Sequence, residues 1–135
     1  MAQSDWYRCK FLESSENLKP LVKTRFGREP STFLAREIIA CLQEGRLFYE
    51  AAVSAPLEIR PLQQFYGMLG FSKALIVASQ LRPLSTFRRA HGLKDISGGG
   101  ARIADTRLQI QGVGTFQEFN DVVAEPWSFS KSLLV

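Results

Sequence analysis

Histidine is nearly absent from this 135-residue sequence, where His91 stands alone. A metal site built from several histidines of one chain is thereby excluded. Cysteine is almost as scarce. Cys9 and Cys41 form no CxxC or zinc-type spacing and read as reduced core or near-core thiols, because a free cysteine behaves as a small hydrophobe. A disulfide between them is the lesser alternative and would require an oxidising compartment. No apolar run reaches the roughly 18 residues of a membrane span. Met1 to Lys10 lacks the basic-then-apolar pattern of a secretion signal. A cytoplasmic protein with no membrane partner is therefore expected. Neither GxxxxGK[ST] nor a GxGxxG between strand and helix occurs. Cys9, Cys41, Glu13 and Glu16 show no spacing suited to nucleophilic or general acid–base work. No metal, no cofactor and no complete catalytic constellation are expected.

What is present is ordinary in amount and uneven in placement. Apolar residues make up 45% and charged residues 22%, proportions of a folded domain. A chain of this length suits one domain and can bury about two thirds of the surface it exposes when unfolded. The net charge of +4 is concentrated. Between Arg82 and Arg107 six basic residues face only Asp95 and Asp105, whereas the remainder balances. Such a segment points to an anionic partner, with a solvated loop as the plain alternative.

Hydrophobic periodicity predicts a mainly α protein: a helical bundle with two long antiparallel helices, followed by a short C-terminal strand–turn–helix. Ser4 caps a short helix over about Asp5 to Glu13, with Trp6, Cys9 and Leu12 on one side. A second short helix starts near Asn17, admits Pro20 in its first turn and stops at Gly27. Ser31 then caps a long helix whose Leu34, Ile38, Cys41, Gly45, Phe48 and Ala52 recur at steps of three and four. Ser54-Ala55-Pro56 ends it, and Pro61 opens the next.

From Pro61 to about Gln80 nearly every position is apolar, which reads as a central helix. Gly67, Gly70 and Ala74 make a smooth ridge on it. Facing residues of the pair should include Leu34, Ile38, Cys41, Phe48, Phe65, Leu69 and Leu75. Residues 1–96 are expected to be the bundle, and 97–135 a hinge at Gly98-Gly99-Gly100 followed by a strand and helix. Arg107 to Gln111 alternates like a strand. Thr115 with Glu118 forms a capping-box pattern for a helix from Phe116 to about Ala124. One strand makes no sheet, so either a partner is hidden in a weak segment or the chain continues in related proteins, and the second fits better.

The run Phe65-Tyr66-Gly67-Met68-Leu69-Gly70-Phe71-Ser72-Lys73-Ala74-Leu75, followed by His91-Gly92-Leu93, resembles the bacterial YaaC-like family. Ala35 to Tyr49, Arg82-Pro83-Leu84-Ser85 and Gly114-Thr115-Phe116 add to the likeness, which extends from about Trp6 to Phe119. Members of that family are longer. The resemblance thus implies that this chain is the N-terminal part of such a protein or a shortened version, which would account for the orphan strand and the apolar stretch Trp127 to Val135.

The aromatic pair, the Lys-Ala-Leu helix and the His-Gly pair are also similar to HEPN-type helical domains. Several of these are metal-independent ribonucleases, in which an arginine and a histidine promote attack of a ribose 2′-hydroxyl on the adjacent phosphate. Histidine accepts a proton near neutral pH and arginine stabilises the phosphorane. Here eight residues separate Arg82 from His91, while Arg88 and Arg89 stand too close to it. The catalytic pair is therefore not carried over, and His91 remains a weak catalytic candidate whose plainer role is at a helix C-terminus.

The candidates for anion or phosphate binding are Arg82, Arg88, Arg89, His91 and Lys94, with Phe87 as a stacking face. The functional expectation is a non-catalytic interaction module that engages a protein partner, a second copy, or RNA or a nucleotide. A metal-independent endoribonuclease of the HEPN type is the alternative.

Overall fold

The computed structural model describes residues 3–100 and 102–123. Five helices and one two-stranded antiparallel ribbon lie within them: α1 (Gln3–Phe11), α2 (Ser15–Phe26), α3 (Thr32–Ser54), α4 (Arg60–Gln80), β1 (Leu93–Asp95), β2 (Leu108–Ile110) and α5 (Thr115–Val123). Backbone contacts divide the chain into two compact units, Met1–Thr86 and Phe87–Val135. The strand Leu93–Asp95, paired to Leu108–Ile110, lies in the second unit.

In the first unit α3 starts as its sequence dictates. The Ser31 hydroxyl accepts the Leu34 N–H at 3.2 Å, filling one of the donors that every helix start leaves open. The periodic face is inward: Ile38, Cys41, Gly45 and Ala52 are buried, together with Ala35. Helix α4 runs antiparallel to α3, as the contacts themselves show. Gly67 lies against Tyr49, whereas Gly70 lies against Gly45 and Cys41.

Glycine is required at this crossing. A Cβ on Gly70 would stand 2.8 Å from the Gly45 nitrogen and 3.0 Å from the Cys41 carbonyl oxygen, both backbone atoms. One on Gly67 would enter the Tyr49 ring at 2.6 Å. The smooth ridge therefore lets two backbones approach, and Ile38, Ile76 and Val77 on the same helix pair are completely buried. Each such aliphatic side chain contributes about 1.5–3 kcal/mol of transfer free energy.

Helix α2 ends at Gly27, whose φ of +78° is the left-handed conformation that stops a helix. Pro20 sits in the interior of α2, not in its first turn. Ser4 lies within α1, so it is not the cap of that helix. Trp6 completes an aromatic cluster with Tyr49 and Phe71, ring centroids 5.8–6.4 Å apart. An ion-pair network fixes the α1–α2 turn to α3. The Arg46 guanidinium donates to both Glu13 oxygens at 2.6 and 3.0 Å and to Glu50 at 2.8 Å.

The expectation that α4 is central needs correction. Leu62, Phe65, Tyr66 and Met68 are 57%, 37%, 39% and 53% exposed, and Leu69 and Leu75 are only half-buried. The inward face of α4 consists of Gly67, Gly70, Ala74, Ile76, Val77 and Ala78 instead. An all-apolar helix carries no amphipathic pattern, so its rotation about its own axis is set by the glycine ridge rather than by hydrophobicity.

In the second unit the missing strand partner is Leu93–Asp95, hidden in a weak segment of the sequence. The pairing sets Leu93 opposite Ile110, Lys94 opposite Gln109 and Asp95 opposite Leu108. Gly98 to Gly100 lie in the connection between the two strands, with open space around them.

Candidate functional site

The surface has two distinctive features, the basic segment and the exposed face of α4. Arg82 follows α4 directly. Leu81, with φ +50°, ends that helix by donating its N–H to the Val77 carbonyl. Pro83 then starts a tight turn in which Thr86 donates both its N–H and its hydroxyl to the Pro83 carbonyl, at 3.0 and 2.7 Å. Glu37 holds this turn against α3 by accepting the Leu84 N–H at 3.0 Å. The half-buried Arg82 is part of the same construction. Its Nε donates to Gln80 at 3.1 Å and its Nη1 to the Thr86 carbonyl at 3.3 Å.

Arg88, Arg89, His91 and Lys94 are exposed and belong to the second unit, whereas Arg82 belongs to the first. The backbone beneath them is tightly organised. Ala90 O accepts the Thr115 N–H at 3.0 Å, His91 O the Phe116 N–H at 3.0 Å and Gly92 O the Gln111 N–H at 2.8 Å. Gly92 (φ +85°) and Gly114 (φ +134°) make this close approach. A Cβ on Gly114 would overlap the Gly92 nitrogen and lie 2.6 Å from its Cα.

This geometry has a chemical consequence. The first two N–H groups of α5, which would otherwise attract an anion, are already occupied by protein carbonyls. It also replaces the expected capping box. Thr115 is the first residue of α5, and its hydroxyl lies 3.4 Å from the Ala90 carbonyl as a donor. His91 precedes Gly92 in this crossing and is not at a helix C-terminus. Beside Lys94, Asp95 is held below the ordinary carboxylate range by hydrogen bonds from the Ser97 side chain and N–H. The basic segment therefore carries a fixed negative charge within it.

The second feature lies on α4 of the first unit. Leu62, Phe65, Tyr66 and Leu69 recur at helical spacing, Met68 follows Phe65 by three, and Phe48 of α3 stacks on Tyr66 at 5.4 Å. Tyr66 meets Phe65 edge-on at 5.5 Å. No charged residue occurs from Pro61 to Ser72. The apolar run alone places Phe65 and Leu69 in the core, but Phe65 is exposed and Leu69 half-buried. The signal that distinguishes them is the position of Gly67 and Gly70, which must face α3 and so turn Leu62, Phe65 and Leu69 away from it.

Of the two cysteines, Cys41 is the buried one. Burial, with the neighbouring Glu44 carboxylate, pushes the Cys41 thiol up to about 11, which leaves it protonated and unreactive. Cys9 and Cys41 are not joined by a disulfide. Among the described residues no group of His, Cys, Asp and Glu could hold a metal ion, and no helix is long and apolar enough to cross a membrane.

Fold and surface together define a protein built on a glycine-packed helical hairpin, with a small ribbon-and-helix unit after it. The family model described as YaaC-like Protein matches residues 10–132, and the chain belongs to that family. No curated protein and no solved structure matches it.

Proposed function

We propose that this YaaC-like protein is a non-catalytic helical interaction module that associates with a second copy of itself through the exposed face of α4. The observation that carries this reading is the contiguous apolar face of Leu62, Phe65, Tyr66, Met68 and Leu69 on a stretch without charge from Pro61 to Ser72. Contiguous exposed apolar surface rimmed by polar residues marks interaction sites, and aromatic residues with methionine are enriched in them.

A second copy fits because the chain's charge excess lies between Arg82 and Arg107. Two molecules of charge +4 can meet at an uncharged face without setting like charges opposite each other. A two-fold interface uses the same patch on both partners. Binding of RNA or a nucleotide through Arg88, Arg89, His91 and Lys94, in a cytoplasmic setting, is the weaker reading. Asp95 tempers the charge there, and the amides of α5 are already engaged. The HEPN-type endoribonuclease alternative has less support. Its Arg82 guanidinium is engaged by Gln80 and the Thr86 carbonyl.

Sedimentation velocity over a dilution series tests the proposal. The wild-type chain should shift from dimer to monomer as concentration falls, and Phe65→Glu should be monomeric throughout with unchanged helicity. A wild-type chain that is monomeric at every concentration would contradict it.

A further inference from the structure

A separate apolar groove opens on the other side of the hairpin, between α2, α3 and α4. It has a volume of about 380 Å³, within the roughly 300–1,000 Å³ of small-molecule sites. Leu21 and Val22 of α2, Ile38 and Leu42 of α3, and Phe71 and Leu75 of α4 line it. Its length follows from its lining. On α4 its lining runs from Phe71 to Ala78, about 10 Å at the helical rise.

One lining residue is charged: Arg25, exposed in the last turn of α2. Among the described residues Arg25 makes no hydrogen bond or ion pair, whereas its neighbour Lys23 is matched by Glu29 at 3.9 Å. An apolar groove of this length with a single unmatched cation at its edge is complementary to a molecule with one aliphatic chain and one anionic end. A polyanion would find only one partner.

We infer that this groove binds a medium-chain aliphatic carboxylate, with the chain lying along Val22, Ile38, Leu42 and Leu75 and the carboxylate paired with Arg25. The inference uses none of the residues of the α4 outer face, so it stands or falls independently of self-association. The pairing at Arg25 is solvent-exposed and weak in itself. The methylenes supply the affinity and the cation sets the orientation.

Isothermal titration of the full chain with octanoate, decanoate and dodecanoate, all below their aggregation thresholds, tests this. Binding should be one to one and tighten about fourfold per added methylene until the groove is filled. Arg25→Ala should weaken dodecanoate two- to fivefold while leaving dodecanol unchanged. Dodecyltrimethylammonium should bind more weakly than dodecanoate. Leu21→Asp, at an exposed lip of the groove, should abolish binding with helicity retained, and Leu75→Trp should do the same by filling the groove from α4. Absence of dodecanoate binding below aggregation, equal binding of the ammonium analogue, or undiminished binding by both groove variants would overturn the inference.

Discussion

The two compact units solve the same problem, bringing two backbones into contact, in opposite ways. In Met1–Thr86 the contact is between helices: Gly45 and Gly70 have helical conformations, the Phe71 ring packs beside Gly45, and Ile38, Ile76 and Val77 are fully buried. In Phe87–Val135 the contact is between turns. Gly92 and Gly114 both have positive φ, and only Ile110 and Thr115 are buried side chains among the described residues there. The first unit holds together by side-chain burial, with glycine supplying clearance. The second depends on backbone geometry that glycine alone adopts at little cost. Stability should therefore respond to different kinds of substitution in the two units.

The largest effect should come from Gly70→Val. Its added atoms would meet backbone nitrogen and oxygen that cannot move aside, so a loss of roughly 3 kcal/mol or more is expected. Urea denaturation followed by circular dichroism would measure it. Ile76→Ala, at a fully buried position, should cost about 2–5 kcal/mol. Leu69→Ala, half-buried on the outer face, should cost only about 1 kcal/mol. Equal losses at these two positions would mean that the rotation assigned to α4 is wrong.

The contrast is sharpest at Gly114→Ala, which combines a forbidden φ with overlap on Gly92. Hydrogen exchange should show Thr115 and Phe116 amides losing protection while α3 and α4 keep theirs. Uniform loss across both units would show that they unfold as one.

Much of the first unit could be read from the sequence because its determinants are local. Ser31 caps α3, and the spacing of Leu34, Ile38, Cys41 and Gly45 states which face is buried. Gly67 and Gly70 announce a close crossing. What could not be read depends on distant partners. The strand Leu93–Asp95 has three residues, all exposed, and neither alternation nor β-branching marks it. It exists because Gly92 and Gly114 bring residues 90–92 against the start of α5. The groove beside Arg25 depends on how α2 leans on the hairpin, and the pairing of Arg46 with Glu13 spans 33 residues. The basic candidates were legible as charge only, since sequence does not reveal that Arg82 is engaged by Gln80 and Thr86 or that the α5 amides are occupied.

That ion pair gives the first unit a pH signature. Hydrogen bonds from Arg46 hold Glu13 below its ordinary range, near 4.3 for a free glutamate. Ionised Glu13 therefore stabilises the fold at neutral pH, and the contribution is lost as pH falls through the depressed native value. Arg46→Met should lower stability by about 1–3 kcal/mol at pH 7 and flatten this acid limb. Ser31→Ala should cost less, about 1 kcal/mol, by uncapping α3. An acid limb unchanged in Arg46→Met would remove the pair from the account.

The central claim, that the uncharged face of α4 and not the basic segment is the interaction surface, is tested by sedimentation equilibrium on two matched double variants. Phe65→Glu with Met68→Glu should abolish self-association. Arg88→Ala with Arg89→Ala should leave the dimer intact. The reverse pattern, a monomer on loss of the arginines and a dimer despite two glutamates on α4, would contradict it.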